Sequence, residues 1–266
     1  MYEKCVKYNT YSLNLVNFYY NRYNKETSNP RIKEAKRVKH IFVVDDDKEI
    51  RLLIKKYLEK ESFKVTDFSD ATLVYSEIQR LSPDLIILDI MMPSIDGIEL
   101  CKKIRKDYDL PIIFVSARGE EVDRIIGLEV GGDDYVAKPF SPRELLARIK
   151  NILRRLEKVS DHGEELEESV MIRNTTLSFS TRLVEINGTE ISLTVKEFDI
   201  LKLMMENQNK AFNRDQLLEK VWDYDFAGEG RVVDDVIKRI RKKLNDAGSE
   251  MEILTVWGFG YKIESS

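Results

Sequence analysis

Residues 85–93 read Leu85-Ile86-Ile87-Leu88-Asp89-Ile90-Met91-Met92-Pro93: four aliphatic side chains, one acid, and a turn closed by proline. Successive side chains of a strand point to opposite sides of its sheet, so four apolar residues in a row suit a strand buried on both faces. Pro93 has no backbone donor and cannot continue that strand. One carboxylate, Asp89, is therefore left at the carboxyl end. On its own it suits a cap, a metal ligand or a nucleophile.

Working outward, further apolar runs occupy His40 to Val44, Lys64 to Phe68, Pro111 to Val115 and Tyr135 to Ala137, with helical-length segments between them. In those segments Ile50, Leu53, Ile54, Tyr57 and Leu58 recur at helical spacing, as do Ile98, Cys101 and Ile104, and then Leu145, Leu146, Ile149 and Leu153. The spacing predicts helices with one core-facing stripe each, and the alternation predicts β-α repeats on a parallel sheet. Ligands of such a sheet bind beyond the carboxyl ends of its strands. Those ends carry Asp45-Asp46-Asp47, Asp89, Ser116 and Lys138-Pro139. Asp45, Asp46 and Asp89 would repel one another unless a hard cation lay among them, and Mg²⁺ suits carboxylate oxygens. With that charge neutralised, Asp89 can attack phosphorus in line while Lys138 and Ser116 stabilise the equatorial oxygens. Each group also has a plainer reading. The Asp45 to Asp47 run suits a solvated helix start, Asp89 a cap, and Lys138-Pro139 the surface. Their convergence on one crevice favours the phosphoryl site.

The flanks differ in character. Residues Met1 to Lys39 hold six of the twelve tyrosines and nine Lys/Arg against three Glu, without periodicity, which reads as a flexible amino-terminal extension. Residues 156–169 hold six acids against the single base Lys158, the composition of a linker. Beyond it, Val184 to Ile191 with Asn187-Gly188 at its centre predicts a tight hairpin. Thr194 with Glu197 and Asn213 with Gln216 predict two capped helix starts. A third helix from about Arg231 to Leu244 sets Arg231, Lys238, Arg239, Arg241, Lys242 and Lys243 against Asp234 and Asp235. That basic face suits DNA, although a solvated amphipathic helix has the same pattern. Two preceding short helices and a final hairpin, Ile253 to Ile263, favour a helix-turn-helix with a wing.

Through Val43 to Asp47, Leu88 to Pro93, Asp96-Gly97, Ser116-Ala117-Arg118 and Asp134 to Phe140, residues 40–155 resemble the receiver domain of two-component response regulators. Residues 170–263, within a second domain read as 170–266, resemble the winged-helix effector of the OmpR/PhoB family. The carrying motifs are Leu193 to Phe198, Gln216-Leu217-Leu218, Val221-Trp222, Arg239 to Leu244 and Gly258 to Tyr261. The resemblance implies a flavodoxin-like five-stranded (β/α)5 receiver in the α/β class, followed by an α+β winged helix-turn-helix. It makes Asp89 the phosphoacceptor and Asp45, Asp46, Asp89 and the Met91 carbonyl the Mg²⁺ ligands. Lys138 assists, Ser116 and Tyr135 form the switch pair, and a cis peptide precedes Pro139. Arg231, Lys238, Arg239, Arg241, Lys242 and Trp257 become the DNA contacts, with Arg239 chosen for base reading. Trp257 stands where many members carry Arg, and Val236 where His is common, so base preference does not transfer. Arg124 with Glu144, Glu129 with Lys150 and Asp134 with Arg148 match a charged face that pairs across a two-fold dimer.

The implied partners are a sensor histidine kinase, tandem half-sites of promoter DNA, a second copy of the chain upon phosphorylation, and RNA polymerase as a further contact. His40 and His162 have no phosphodonor setting, so the donor histidine belongs to another protein. No apolar stretch approaches the ~18 residues of a membrane helix, and Cys5 and Cys101 have neither metal-ligand nor disulfide spacing, which suits a reducing cytoplasm. An aspartyl-phosphate phosphatase would need a second acid two residues after Asp89, where Met91 stands. A transcription regulator is expected, not an enzyme.

Overall fold

The computed structural model describes residues 37–93, 96–117, 130–156, 169–222 and 231–265. The amino-terminal extension up to residue 36 and the linker from 157 to 168 lie outside them. Strands β1 (His40–Val44), β2 (Lys64–Phe68), β3 (Leu85–Asp89), β4 (Ile112–Ala117) and β5 (Asp134–Lys138) form one sheet in the order β2-β1-β3-β4-β5. All four pairings are parallel. Strand order reverses between β1 and β3, so a crevice opens where Asp45 and Asp89 emerge.

Alternation along the strands divides the core. Ile41, Val43, Leu85, Ile87, Ile113 and Val115 pack beneath α1 (Lys48–Lys60) and α4 (Pro142–Leu156). Phe42, Val44, Ile86, Leu88, Ile112 and Phe114 pack on the other face, against α2 (Val74–Leu81) and α3 (Gly97–Ile104). Each central strand thus contributes side chains to two cores, which is why its sequence is continuously apolar. Helix α1 starts where Asp47 accepts hydrogen bonds from the amides of Glu49 and Ile50 at 2.8 and 3.3 Å. The helical pattern of α2 escapes a sequence reading because only Val74 and Ile78 of its eight residues are buried.

The second domain opens with a four-stranded antiparallel sheet, β6 (Ser169–Ile172), β7 (Thr175–Ser178), β8 (Val184–Ile186) and β9 (Thr189–Ile191). The expected Asn187-Gly188 hairpin joins β8 to β9, with φ of 51° and 75° at those residues. Strand β6 begins at Ser169, inside the stretch expected as linker, where the alternating Val170 and Ile172 are too few to stand out against the acids. Helices α5 (Val195–Glu206), α6 (Arg214–Val221) and α7 (Arg231–Asp246) follow, and both expected capping boxes form. Strand β10 (Phe212–Asn213) pairs with β12 (Gly260–Ile263), which pairs with β11 (Ile253–Val256) to close the wing. One core draws on the sheet, all three helices and the wing, through Leu177, Ile200, Leu217, Val236, Ile240 and Ile263.

Candidate functional site

Four strand ends bring their polar groups together. Asp45 and Asp89 are buried at 2% and 4% exposure, and Lys138 Nζ lies 2.7 Å from Asp45 Oδ2 and 2.7 Å from Asp89 Oδ2. The Met91 amide donates to Asp89 Oδ1 at 3.1 Å, and the Asp47 amide donates to Asp45 Oδ1 at 2.9 Å. Burial pushes the Asp89 carboxyl above the usual range, against the hydrogen bond from Lys138, and the nearby Asp45 charge raises it further. Burial opposes the charge on Lys138 as well, yet its bonds to the two carboxylates hold its pKa above the ordinary lysine value.

An oxygen from each of Asp45, Asp46 and Asp89 lies within 4.8 Å of the others. An all-oxygen donor set of this size fits a hard divalent cation that keeps its own waters. Ser116 Oγ is fully buried and has no hydrogen-bond partner among the described residues. Ser116 lies near the carboxyl end of β4, between the strands of Asp89 and Lys138, and a buried hydroxyl left unpaired there can serve an incoming anion. Tyr135 is partly buried on β5 beside the core of that face, and the Lys138–Pro139 peptide is cis.

Two residues near the acids carry no role in the sequence reading, although Gly97 belongs to one of its motifs. Gly97 is required by proximity, because a Cβ there would lie 2.1 Å from the Asp89 carbonyl oxygen. Arg51 donates through one guanidinium nitrogen to the carbonyls of Asp45 and Asp46 at 2.6 and 2.9 Å. Its signal in the sequence is slight, a cation one turn after the acidic run.

The basic helix α7 divides its cations among three directions. Arg231, Lys238 and Lys242 face solvent. Arg241 turns to the wing, donating to Ile253 O at 2.6 Å and Thr255 Oγ1 at 2.9 Å and lying over the Tyr261 ring. Arg239 and Lys243 turn the other way, to Glu197, at 3.2 and 2.8 Å. Glu197 is 1% exposed; burial opposes its charge, but Lys243 and then Arg239 hold its carboxyl below the usual range. Arg239, expected to read bases, is thus engaged with α5. Solvent-facing Lys238 and Lys242 leave no such mark in a helical charge count, since the face is set by what packs beneath. Trp257, at the wing tip, is 92% exposed.

The two domains touch. Lys243 also reaches Asp109 Oδ1, before β4, at 2.7 Å, and Arg155 of α4 lies 3.6 Å from Asp199 of α5. Val195, the first residue of α5, packs with the α1 and α4 side of the receiver core. Of the expected dimer face, Arg124 and Glu129 lie outside the described residues. Arg148 pairs within its own chain with Asp134 at 3.1 Å and Glu144 at 3.2 Å, and Lys150 pairs with Glu61 at 2.7 Å. Cross-dimer pairing would require these side chains to exchange partners.

Residues 41–150 match the family described as response regulator receiver domain, and residues 188–263 match transcriptional regulatory protein, C terminal. The transcriptional regulatory protein ResD of Bacillus subtilis (strain 168) is 40% identical over 228 residues, 84% of this chain and 95% of its own length. The transcriptional regulatory protein SrrA of Staphylococcus aureus (strain NCTC 8325 / PS 47) is 40% identical over the same shares, 84% and 95%. Among solved structures, a mutant of RitR superposes with a TM-score of 0.60 at 26% identity, covering 86% of this chain and 100% of that one.

Proposed function

The chain belongs to the OmpR/PhoB family of response regulators, with a receiver and a carboxyl-terminal DNA-binding domain, and from that premise we propose that Asp89 stores a phosphoryl signal that controls promoter binding. The single observation that carries this reading is the convergence of Asp45, Asp46, Asp89 and Lys138 at one crevice.

The donor is a phosphohistidine of a sensor kinase. An Asp89 carboxylate oxygen attacks phosphorus, the P–N bond breaks, and its electron pair stays on the imidazole nitrogen, which takes up a proton from solvent. Lys138 balances charge on the phosphoryl oxygens, and Ser116 donates its hydroxyl to one of them. The carboxylates of Asp45, Asp46 and Asp89 with the Met91 carbonyl would hold Mg²⁺. When bound, that cation neutralises acid and phosphoryl charge together. Movement of Ser116 toward the new group, with reorientation of Tyr135, carries the signal to the face of Arg124, Glu129, Asp134, Glu144, Arg148 and Lys150. Pairing of two receivers there raises the effective concentration of two winged helices on tandem half-sites.

On DNA, Arg231, Lys238 and Lys242 supply contacts that position α7, with Arg241 behind them holding the wing and its Trp257. Arg239 becomes available for bases only if it leaves Glu197. The setting is cytoplasmic, with RNA polymerase as a further partner. Incubation with acetyl phosphate and Mg²⁺, followed by mass spectrometry, tests the core of the reading. The adduct is expected on Asp89, and an adduct elsewhere, or none, overturns it.

A further inference from the structure

Asp45 and Asp46 lie in the turn that leaves β1 and enters α1. Their side chains can present oxygens to a cation only as reliably as the backbone of that turn is held. The carbonyls of Asp45 and Asp46 precede the helix and receive no helical donor; Arg51 supplies both bonds, at 2.6 and 2.9 Å, from one guanidinium nitrogen. The side chain of Arg51 is 12% exposed, and its Nε lies 3.6 Å from Asp67 Oδ2 on β2. Asp67 is itself fixed by Lys55, whose Nζ lies 2.7 Å from Oδ1, and that bond holds the Asp67 carboxyl below the usual range. A chain of contacts thus runs from β2 through Asp67 and Arg51 to the two carbonyls of the acidic turn. Asp45 has other holds, on its carboxylate, from Lys138 and from the Asp47 amide. Asp46 is exposed, and Arg51 grips its backbone.

We propose that Arg51 is a positioning residue for the cation site, fixing the Asp45-Asp46 turn so that both carboxylates face a divalent ion together with Asp89. The inference deepens the phosphoryl-transfer reading and rests on it. As a bare charge, a guanidinium beside the acids repels a divalent cation, so its removal would tighten binding. As a clamp on the ligand-bearing backbone, its removal weakens binding, and groups outside the coordination sphere commonly change metal affinity by roughly ten- to a hundred-fold.

The test is Mg²⁺ affinity by isothermal titration calorimetry on the full chain, with wild type, Arg51→Met, Arg51→Lys and Asp67→Asn. Arg51→Met is expected to raise the dissociation constant roughly ten-fold. Arg51→Lys, which keeps the charge but not the planar fork, is expected to recover only part of that loss. Asp67→Asn, which removes the anchor while leaving Arg51 in place, moves it in the same direction by less, and carries the test if Arg51→Met does not fold. Labelling by acetyl phosphate at saturating Mg²⁺ should return to within about two-fold of wild type in each variant. Unchanged or tighter Mg²⁺ binding in Arg51→Met and Asp67→Asn overturns the proposal. Failure of the phosphoryl reading looks different: wild type then binds Mg²⁺ but carries no label on Asp89.

Discussion

Lys243 Nζ lies 2.7 Å from Asp109 Oδ1, so a cation on the basic helix of the DNA-binding domain is bound to a carboxylate of the receiver. The same ammonium neutralises buried Glu197 at 2.8 Å. The two partners make unequal demands. Asp109 is partly exposed, and an ion pair of that kind is worth about 0 to 1 kcal/mol and weakens with salt. Glu197 is buried and, without Lys243, keeps only Arg239 and the Thr194 amide. Lys243→Ala is therefore expected to destabilise the second domain by about 2 kcal/mol, and Asp109→Asn by under about 1 kcal/mol. Urea denaturation of both variants checks the order.

Glu197 also sets a pH dependence. Its folded pKa is depressed, so the stability it contributes is present above the ordinary carboxylate value and is lost as pH falls through the folded one. Below about pH 4.5 the difference between wild type and Glu197→Gln should narrow, as measured by urea midpoints across an acid series.

The opposite sign is expected at Asp89, whose carboxyl is raised chiefly by burial. Ionised, it costs folding stability at neutral pH, and that cost fades as pH falls toward the unfolded value. Asp89→Asn should thus abolish labelling while matching wild type in stability or exceeding it by about 1 kcal/mol at pH 7 without added cation. Mg²⁺ should stabilise wild type far more than the variant, since a ligand of the folded state alone raises stability by mass action. Thermal melts with and without Mg²⁺ supply the comparison.

At Gly97 the expected failure is steric. An alanine Cβ would meet the Asp89 carbonyl oxygen at 2.1 Å, and backbone cannot swing aside as a long side chain can. Gly97→Ala should destabilise the receiver by about 1 to 3 kcal/mol and slow labelling as well, because the strained peptide carries Asp89. Denaturation midpoints and labelling rates on one preparation would show both losses.

The strands and the polar groups at their ends were legible for the same reason. Runs such as Leu85 to Leu88 are buried on both faces, as the short length and flanking turn signals of a central strand allow, and each ends in a polar group at the crevice. Capping boxes at Thr194 and Asn213 were legible because both partners lie three residues apart. What sequence conceals is which way a long cation bends. Arg239, Arg241 and Lys242 follow one another within a single turn, yet one reaches Glu197, one reaches the wing and one faces water. That outcome depends on burial at Val236 and Ile240 and on neighbours remote in the chain. Arg51 is hidden for the same reason, since its partners on β2 and in the acidic turn are assembled only by the sheet.

Those directions yield a prediction about DNA. Lys238→Ala and Lys242→Ala should weaken binding uniformly across sequences and each lower the salt slope by about 1, as for a lost phosphate contact. Arg239→Ala should register first as lower stability, because it leaves Glu197 with one cation fewer. Affinity measured on specific and scrambled duplexes over a salt series separates the two kinds of residue.

The sheet sets a distance that any communication between the domains must span. Asp89 stands at the carboxyl end of β3, whereas Asp109 precedes β4 and Arg155 lies in the last turn of α4, both at the opposite pole of the same sheet. At about 3.3 Å per residue, a strand of five residues holds the poles roughly 17 Å apart. Asp89, the proposed phosphoacceptor, and Asp109, which grips Lys243, are thus too far apart to sense each other as charges in salt. If Asp89 is phosphorylated as proposed, the signal has to travel mechanically, through rigid strands and the helices riding on them, with the parallel sheet as a connecting rod.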